Sequence, residues 1–277
     1  MNIGYKKLQN DYIARLEILG ETNENRNNIA NPQYAKYRTS NVKVLKIFHM
    51  NNDETQVIEQ MNGLYDENFM YGVGKEIRVD DYDENVNNVC SQGIHYFKTP
   101  YQAKMWELNV DNYTGNYIEW YENGTTQYEG EYKDGKEEGK WISWYKDGSK
   151  KYEEEYKNGK LEGKCIRWYE DGNKMYEEEY KDGKEEGKWF GWYNNGNKSC
   201  EEEYKDGKEE GKWIGWYENG NKMYEVEYRN GEKDGKWFEW YESGNKWYEG
   251  EYKNGKKDGK WNEWLENGNK WYEGELT

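Results

Sequence analysis

From Tyr117 onward the chain repeats every 24 residues without a slip. Full units begin at Tyr117, Trp141, Cys165, Trp189, Trp213 and Trp237, and a partial seventh runs from Trp261 to Thr277. A fixed period of this length means small units, each supported by its neighbours. A unit such as WIGWYENGNKMYEVEYRNGEKDGK reads as two strands and two turns. Its first turn carries Asn-Gly or Asp-Gly, the strongest short hairpin signal, because both central residues of a type I′ turn need positive φ. Taking Asn219 and Gly220 as that turn predicts that Tyr217 faces Lys222, Trp216 faces Met223, Gly215 faces Tyr224 and Trp213 faces Val226. The second connection, such as YKDGKEEGKW, reads as a longer loop with two glycines. Pairing Tyr228 with Trp237 of the next unit keeps the register, and an antiparallel meander of 14 strands follows.

This register separates two faces. One carries Trp213, Tyr217, Tyr224, Tyr228 and their equivalents, with large residues opposite small ones: Trp237 faces Gly250 and Trp261 faces Gly274. The other carries Ile214, Trp216, Met223, Glu225 and Glu227. Two glutamate columns run along this second face. The first is Glu129, Glu153, Glu177, Glu201, Glu225, Glu249 and Glu273, and the second is Glu131, Glu155, Glu179, Glu203, Glu227, Glu251 and Glu275. Equivalent residues lie about 9.6 Å apart, two strand spacings, so mutual repulsion is modest at physiological salt.

The composition explains how such a chain folds. Net charge is −16, yet Trp (15), Tyr (29) and Phe (5) are too abundant for a disordered chain. Order is built from Trp and Tyr in place of Leu and Val. The acidity argues against nucleic acid as a partner. No window is long and apolar enough for a transmembrane helix. The opening MNIGYKKLQNDY lacks the apolar core of a signal peptide. Cys90, Cys165 and Cys200 are odd in number and irregular in spacing, which fits a reducing, cytoplasmic compartment.

Residues 1–116 do not repeat and read as a small α+β domain preceding the array at 117–277. Strands are expected over Asp11–Leu19 and Val42–Met50, and a loop over Glu21–Pro32. A short helix is expected around Glu54–Met61, and strand-like runs broken by Gly72 and Gly74 over Phe69–Val79. An amphipathic helix is expected over Pro100–Leu108, capped by Thr99. Cys90 and His95 invite a nucleophile–base reading, but their spacing puts them on opposite faces of a continuous strand and no third group is identifiable. His49 reads as structural. Gly72-Val-Gly74 lacks the third glycine and the helix of a phosphate loop. Two His and three scattered Cys give no metal-ligand spacing, and no cofactor motif is present.

The motif Trp-Tyr-Glu-Asn-Gly-Asn-Lys-x-Tyr-Glu-x-Glu-Tyr-Lys-Asp-Gly-Lys-x-x-Gly-Lys-Trp resembles MORN-type repeats, most closely the variant in the bacterial YwqK-like antitoxin family. The resemblance covers 117–277 and implies an elongated single-layer sheet of hairpins with a role in protein–protein contact or scaffolding. Classical MORN repeats are linked to acidic phospholipids and to dimerisation. Here 28 basic and 40 acidic residues give the array a net charge of −12, which argues against phospholipid binding. The N-terminal segments FMYGVGK (69–75), DYD (81–83) and CSQGIHYF (90–97) resemble a domain of unknown function associated with large DNA viruses. That resemblance implies a viral origin, hence host cytoplasm or virion, and supplies no activity.

The leading reading is a non-enzymatic scaffold that recruits another protein or pairs with itself. Its candidate surface is Trp144, Trp168, Trp192, Trp216 and Trp240 with Glu153, Glu155, Glu177, Glu179, Glu201, Glu203, Glu225 and Glu227. These would meet a basic partner through cation–π and ion-pair contacts. The bland reading of the same columns is a solvated face neutralised by Lys212 and its equivalents. The Trp213/Tyr face is either intrinsic packing of a thin sheet or a docking surface. Two alternatives remain: a choline- or glucan-binding module of stacked aromatics, and an antitoxin-like inhibitor of a basic protein. Open sheet edges invite pairing. The N-terminal domain is therefore expected to cap the edge near Tyr117, and Asn262, Leu265 and Leu276 to mark a C-terminal cap or dimer edge.

Overall fold

Alternation of Tyr, Trp and Glu with short glycine turns leaves the chain few choices other than strand. The computed structural model is mainly β, and describes residues 2–50, 57–65 and 69–276. Two compact units form: Met1–Gly135 with Trp144–Gly148, and Lys136–Ser143 with Ser149–Thr277.

In the first unit a four-stranded antiparallel sheet is built from Ile3–Lys7, Tyr12–Ile18, Asn41–His49 and Glu76–Arg78, in that order. Tyr37–Thr39 pairs with Ile94–Tyr96, and Gln60–Asn62 with Met70–Gly72. Leu8, Leu16, Val42, Val44, Ile47 and Tyr96 fill the core. The two long strands lie where alternation predicts them. The helix also starts as expected, with the Thr99 hydroxyl accepting from Gln102 N–H at 3.2 Å. It stops at Met105, short of Leu108, because Trp106 turns extended and Glu107 adopts φ +49°. Of the helix expected at Glu54–Met61, residues 54–56 lie outside the described residues. The rest is a bridge at Val57 and the strand Gln60–Asn62, so no helix forms there.

The same unit contains the first repeat hairpin, Gly115–Trp120 with Thr126–Lys133. The expected capping is achieved at the turn and one face rather than along the edge strand. Ala30 and Asn31 N–H both donate to Asn123 O (2.9 and 3.0 Å), and Lys36 N–H donates to Glu122 O at 3.1 Å. Tyr34 stacks on Trp120 with ring centroids 5.0 Å apart and planes 3° from parallel. Gly124, at φ +87°, sits so close to this loop that a Cβ would lie 2.1 Å from Asn31 O. Gly172 holds the same turn position at φ +88° with nothing within 4 Å. Gly124→Ala should therefore cost about 3 kcal/mol, and Gly172→Ala only about 1 kcal/mol. Equal losses of denaturation free energy in the two variants would mean that the docking at Gly124 contributes nothing.

The second unit is a sheet of repeat hairpins running in chain order, antiparallel throughout, to Lys270–Leu276. The strands from Gly115 onward are 17 segments rather than 14, because three are split at a bulge, as between Lys208–Glu209 and Gly211–Trp216. The turn assignments are exchanged relative to expectation. The two-residue turn with both residues at positive φ is the second connection, at Asp206 (+53°) and Gly207 (+78°) and its equivalents. At the first connection only Gly220 has positive φ (+89°). Gly220 N–H donates to Tyr217 O at 2.9 Å and Tyr217 N–H to Asn221 O at 2.8 Å, the pattern of a type I turn closed by a left-handed glycine. That three-residue loop shifts the register at its mouth. Trp216 faces Lys222 instead of Met223, while Gly215–Tyr224 and Trp213–Val226 pair as expected. The bulge likewise makes Trp237 face Val226, not Tyr228, and the aromatic face is preserved.

Neighbouring units are tied along both rims. On one rim Tyr193 OH donates to Trp216 O (2.7 Å) and Tyr217 OH to Trp240 O (2.9 Å), each reaching one unit ahead. Asn195 and Asn197 side chains both donate to Glu218 O, at 3.0 and 2.9 Å. On the other rim the direction reverses: Asp206 N–H donates to the Glu186 carboxylate (2.9 Å) and Gly207 N–H to Glu185 O (2.9 Å). The invariant spelling of the repeat is largely this wiring.

Candidate interaction surface

The two glutamate columns lie on the face of Trp216, as the register requires, but their surroundings differ. From Glu153 onward each carboxylate of the first column is held by lysine. Glu225 takes Lys212 at 2.6 Å and Lys222 at 2.7 Å, Glu153 takes Lys140 and Lys150 at 2.7 and 2.8 Å, Glu177 takes Lys164 and Lys174 at 3.5 and 2.8 Å, and Glu201 takes Lys198 at 3.0 Å. Burial opposes the Glu225 charge, but the two ammoniums outweigh it and hold the carboxyl below its ordinary range. Hydrogen bonds from Lys140 and Lys150 depress Glu153 in the same way.

The same lysines roof the tryptophans. Lys150 lies over Trp168 at 5.1 Å, Lys174 over Trp192 at 5.3 Å, Lys198 over Trp216 at 5.7 Å and Lys222 over Trp240 at 5.5 Å. These indoles are half-buried. Trp144, in the first unit, is half-buried too, and its carbonyl accepts from Tyr121 OH at 2.9 Å. From Trp168 and Glu153 onward, the cation–π and ion-pair capacity of these two columns is thus taken up by the chain's own lysines.

The second column is different. Glu155, Glu179 and Glu227 are exposed and Glu203 is half-exposed. Each projects over the bulge glycine of its hairpin: a Cβ on Gly187 or Gly211 would come within 2.9 Å of Glu179 or Glu203 Oε2. Among the described residues no cation lies within 4 Å of these four carboxylates.

On the opposite face an aromatic ladder runs from Tyr180 to Tyr228. Centroid distances are 5.2 Å for Tyr180–Trp189, 4.6 Å for Trp189–Tyr204, 5.0 Å for Tyr204–Trp213 and 4.9 Å for Trp213–Tyr228. At 4.5–7 Å and tilted, such pairs add to area burial.

Against this geometry stand the comparisons with known proteins. Six stretches match the model of a MORN repeat variant: 113–134, 137–158, 161–182, 185–206, 209–230 and 233–254. These are MORN-variant repeats. Residues 1–103 match a family of unknown function, DUF5758. No curated protein gives a significant match to the chain. The MORN units keep the 24-residue period read from the sequence, four residues earlier in phase. Each holds one hairpin, as 209–230 holds Gly211–Trp216 and Lys222–Arg229. A seventh hairpin, Lys256–Trp264 with Lys270–Leu276, follows the last matched unit and carries the departures at Asn262 and Leu265.

Within the MORN array one feature escapes the column analysis. The middle glutamates of the EEE triplets, Glu154, Glu178 and Glu202, alternate onto the aromatic face, where Glu178 faces Cys165 and Glu202 faces Trp189. Tyr156 OH donates to Glu154 at 2.8 Å, Tyr180 OH to Glu178 at 3.4 Å and Tyr204 OH to Glu202 at 3.2 Å. The signal was present: the same position is Val226 and Gly250 in later units. Burial pushes the carboxyls of Glu178 and Glu202 above their ordinary range. These two groups bind protons more readily folded than unfolded, so their effect is to raise stability as pH falls towards the ordinary carboxyl range. The lysine-held Glu153, Glu177 and Glu225 act oppositely and withdraw stability as pH falls below it. Thermal melts should therefore show a maximum on the acid side of neutrality. Glu202→Val, which copies Val226, should raise stability at about pH 7 by about 1 kcal/mol and give little at about pH 5. A gain of the same size at both pH values would contradict this assignment.

Cys90 and His95 are not arranged as nucleophile and base. The Cys90 thiol donates to Glu122 Oε1 at 2.6 Å, and burial followed by that carboxylate raises its pKa, the reverse of an activated thiolate. His95 Nε2 bonds Val89 O at 2.8 Å, and burial with the nearby Lys36 and Lys6 lowers its pKa to about 4. His49 packs edge-on against Tyr12 with centroids 5.2 Å apart.

Proposed function

We propose that the MORN array is a non-enzymatic scaffold that receives a basic protein partner along Glu155, Glu179, Glu203 and Glu227. MORN repeats support a scaffold for protein or membrane interaction. The acidity of this array favours protein over anionic lipid. The observation that carries the choice of residues is the contrast between the columns: from Glu153 onward the first is neutralised by lysines, whereas Glu155, Glu179, Glu203 and Glu227 stand at regular spacing with no cation within 4 Å among the described residues. Bringing in a partner's lysines or arginines there breaks no existing ion pair. A glycan platform needs open aromatic faces, and the Trp216 column is covered by lysine. The cytoplasmic setting, in a host cell or virion, rests on the sequence resemblance of the N-terminal part.

The test is affinity purification of the full chain against the fourfold variant Glu155→Lys, Glu179→Lys, Glu203→Lys and Glu227→Lys. The variant should keep its melting temperature within about 3 °C and lose its partner at least about tenfold. A partner retained equally by both forms would remove this column from the interface. Binding to phosphatidylserine vesicles by the unaltered chain would replace the protein partner with a membrane.

Self-association is a second reading, favoured by one observation. The last hairpin exposes Trp271 (68%), Tyr272 (50%) and Leu265 (42%) beside a terminal strand whose partner is Lys256–Trp264. A concentration-dependent mass in solution that Leu265→Asp abolishes would favour it.

A further inference from the structure

The N-terminal unit holds a cavity of about 310 Å³, within the size range of small-molecule sites. Its inner wall is Lys6, Phe69, Tyr71 and Ile94, and its mouth carries Asp81 and Gln92. Tyr71 and Ile94 are each 2% exposed, whereas Asp81 and Gln92 are exposed, so the site grades from apolar interior to polar rim. Lys6 reaches in from the first strand. Its ammonium donates a long bond to His95 O at 3.4 Å and stands 5.8 Å from the centre of the Tyr71 ring. Among the described residues no carboxylate lies within 4 Å of it. The half-buried Lys6 thus has no counter-ion among the described residues, which leaves its ammonium free to receive an anion.

The wall opposite is preorganised. Arg38, fully buried, sends its guanidinium into the loop that carries Asp81 to Gly93 and donates to Asn85 O and Asn88 O (2.6 Å each), to Gln92 O (3.2 Å) and to Asp83 O. Those bonds fix the loop's backbone before any ligand arrives, which removes an ordering cost from binding. They also occupy Arg38, leaving Lys6 as the cation that lines the cavity.

We propose that this cavity binds a small planar anion, its carboxylate or phosphate received by Lys6 Nζ and its ring lying against Tyr71 and Phe69. The rings of Phe69 and Tyr71 stand 5.4 Å apart and tilted, a ready aromatic wall. Asp81 at the mouth favours a ligand whose distal end donates a hydrogen bond and disfavours extended polyanions. Burial and the like charge of Lys36 lower the Lys6 pKa to about 8, so the ammonium is charged at neutral pH and an anion there relieves its isolation.

Benzoate, phenyl phosphate and the neutral isostere benzamide are the probes, titrated calorimetrically into the full chain. Benzoate or phenyl phosphate should bind at least about tenfold more tightly than benzamide at about pH 7, and the tighter of the two identifies the head group. Affinity should fall at least about tenfold by about pH 9.5, below the range in which an ordinary lysine loses its proton. Lys6→Met should lose at least about tenfold. As a readout independent of that variant's folding, Lys6 is also followed in the unaltered chain by acetic anhydride labelling and mass spectrometry, where saturating ligand should protect it selectively. The proposal is overturned if neither anion binds below about 10 mM, if benzamide binds as well as they do, or if Lys6 labels equally with and without ligand.

Discussion

Replacing Arg38 by Met should cost the N-terminal unit about 4 kcal/mol, among the largest effects of any single change in the chain. The guanidinium is fully buried and donates to the carbonyls of Asp83, Asn85, Asn88 and Gln92. Its plane also lies 4.6 Å from the centre of the Tyr82 ring. Met fills much of the volume but returns no donor, so carbonyls that turn inward towards Arg38 lose their partners. Loop 82–92 has little regular structure of its own, and apart from the bond between Val89 O and His95 Nε2 its carbonyls are held chiefly by these. Urea unfolding should show the loss, and limited proteolysis should cut first between Tyr82 and Gln92. A loss below about 1 kcal/mol, or first cutting elsewhere, would show that the loop is held by something other than Arg38.

Trp213→Ala is the second large effect, at about 3 kcal/mol. The indole stands between Tyr204 and Tyr228, and its Nε1–H donates to Glu203 O at 3.0 Å, the strand residue beside the bulge. Removal breaks the ladder and strips that carbonyl together. In a nearest-neighbour array the damage is local, so units on either side should keep their own stability while cooperativity between them falls. Hydrogen exchange should quicken in the strands containing Tyr204, Trp213 and Tyr228 and stay slow near Trp189. Trp216→Ala, on the lysine-roofed face, should cost about 1 kcal/mol. If the two variants lost equal stability, the aromatic face would have no special share in holding the array.

Much of this was legible because the repeat constrains itself. The period, the hairpins, the two faces and the opposition of Gly215 to Tyr224 all follow from alternation between glycine turns. What misled was that both connections contain Asn-Gly or Asp-Gly. The connections differ in the residue after glycine: the Asn221 side chain donates to Glu242 O of the next unit at 2.9 Å, whereas lysine or, at Glu232, glutamate follows the glycine of the second connection. In the first connection Asn219 Oδ1 accepts from Asn221 N–H at 2.9 Å, and Asn219 stays out of the left-handed region. In the N-terminal unit Tyr12–Ile18 and Asn41–His49 announced themselves by alternating apolar residues, whereas Ile3–Lys7 did not. Its inward positions are Gly4 and Lys7, and the Lys7 ammonium is satisfied by Trp106 O and Glu107 O at 2.8 and 2.9 Å. Those partners lie about a hundred residues away, and no local pattern encodes them. The candidate surface was half legible: the columns were visible, but which carboxylates keep lysine partners depends on register at the loop mouth.

The wiring of the array also fixes when its parts can form. Bonds between neighbouring units, such as Tyr193 to Trp216 or Gly207 to Glu185, span 22 or 23 residues. Such short separations make loop closure cheap, so each hairpin can join the preceding one as soon as the ribosome releases it. The N-terminal unit is made first yet must wait, since Lys7 needs Glu107 and the amides of Ala30 and Asn31 need Asn123. Synthesis of the first repeat therefore completes the domain before it.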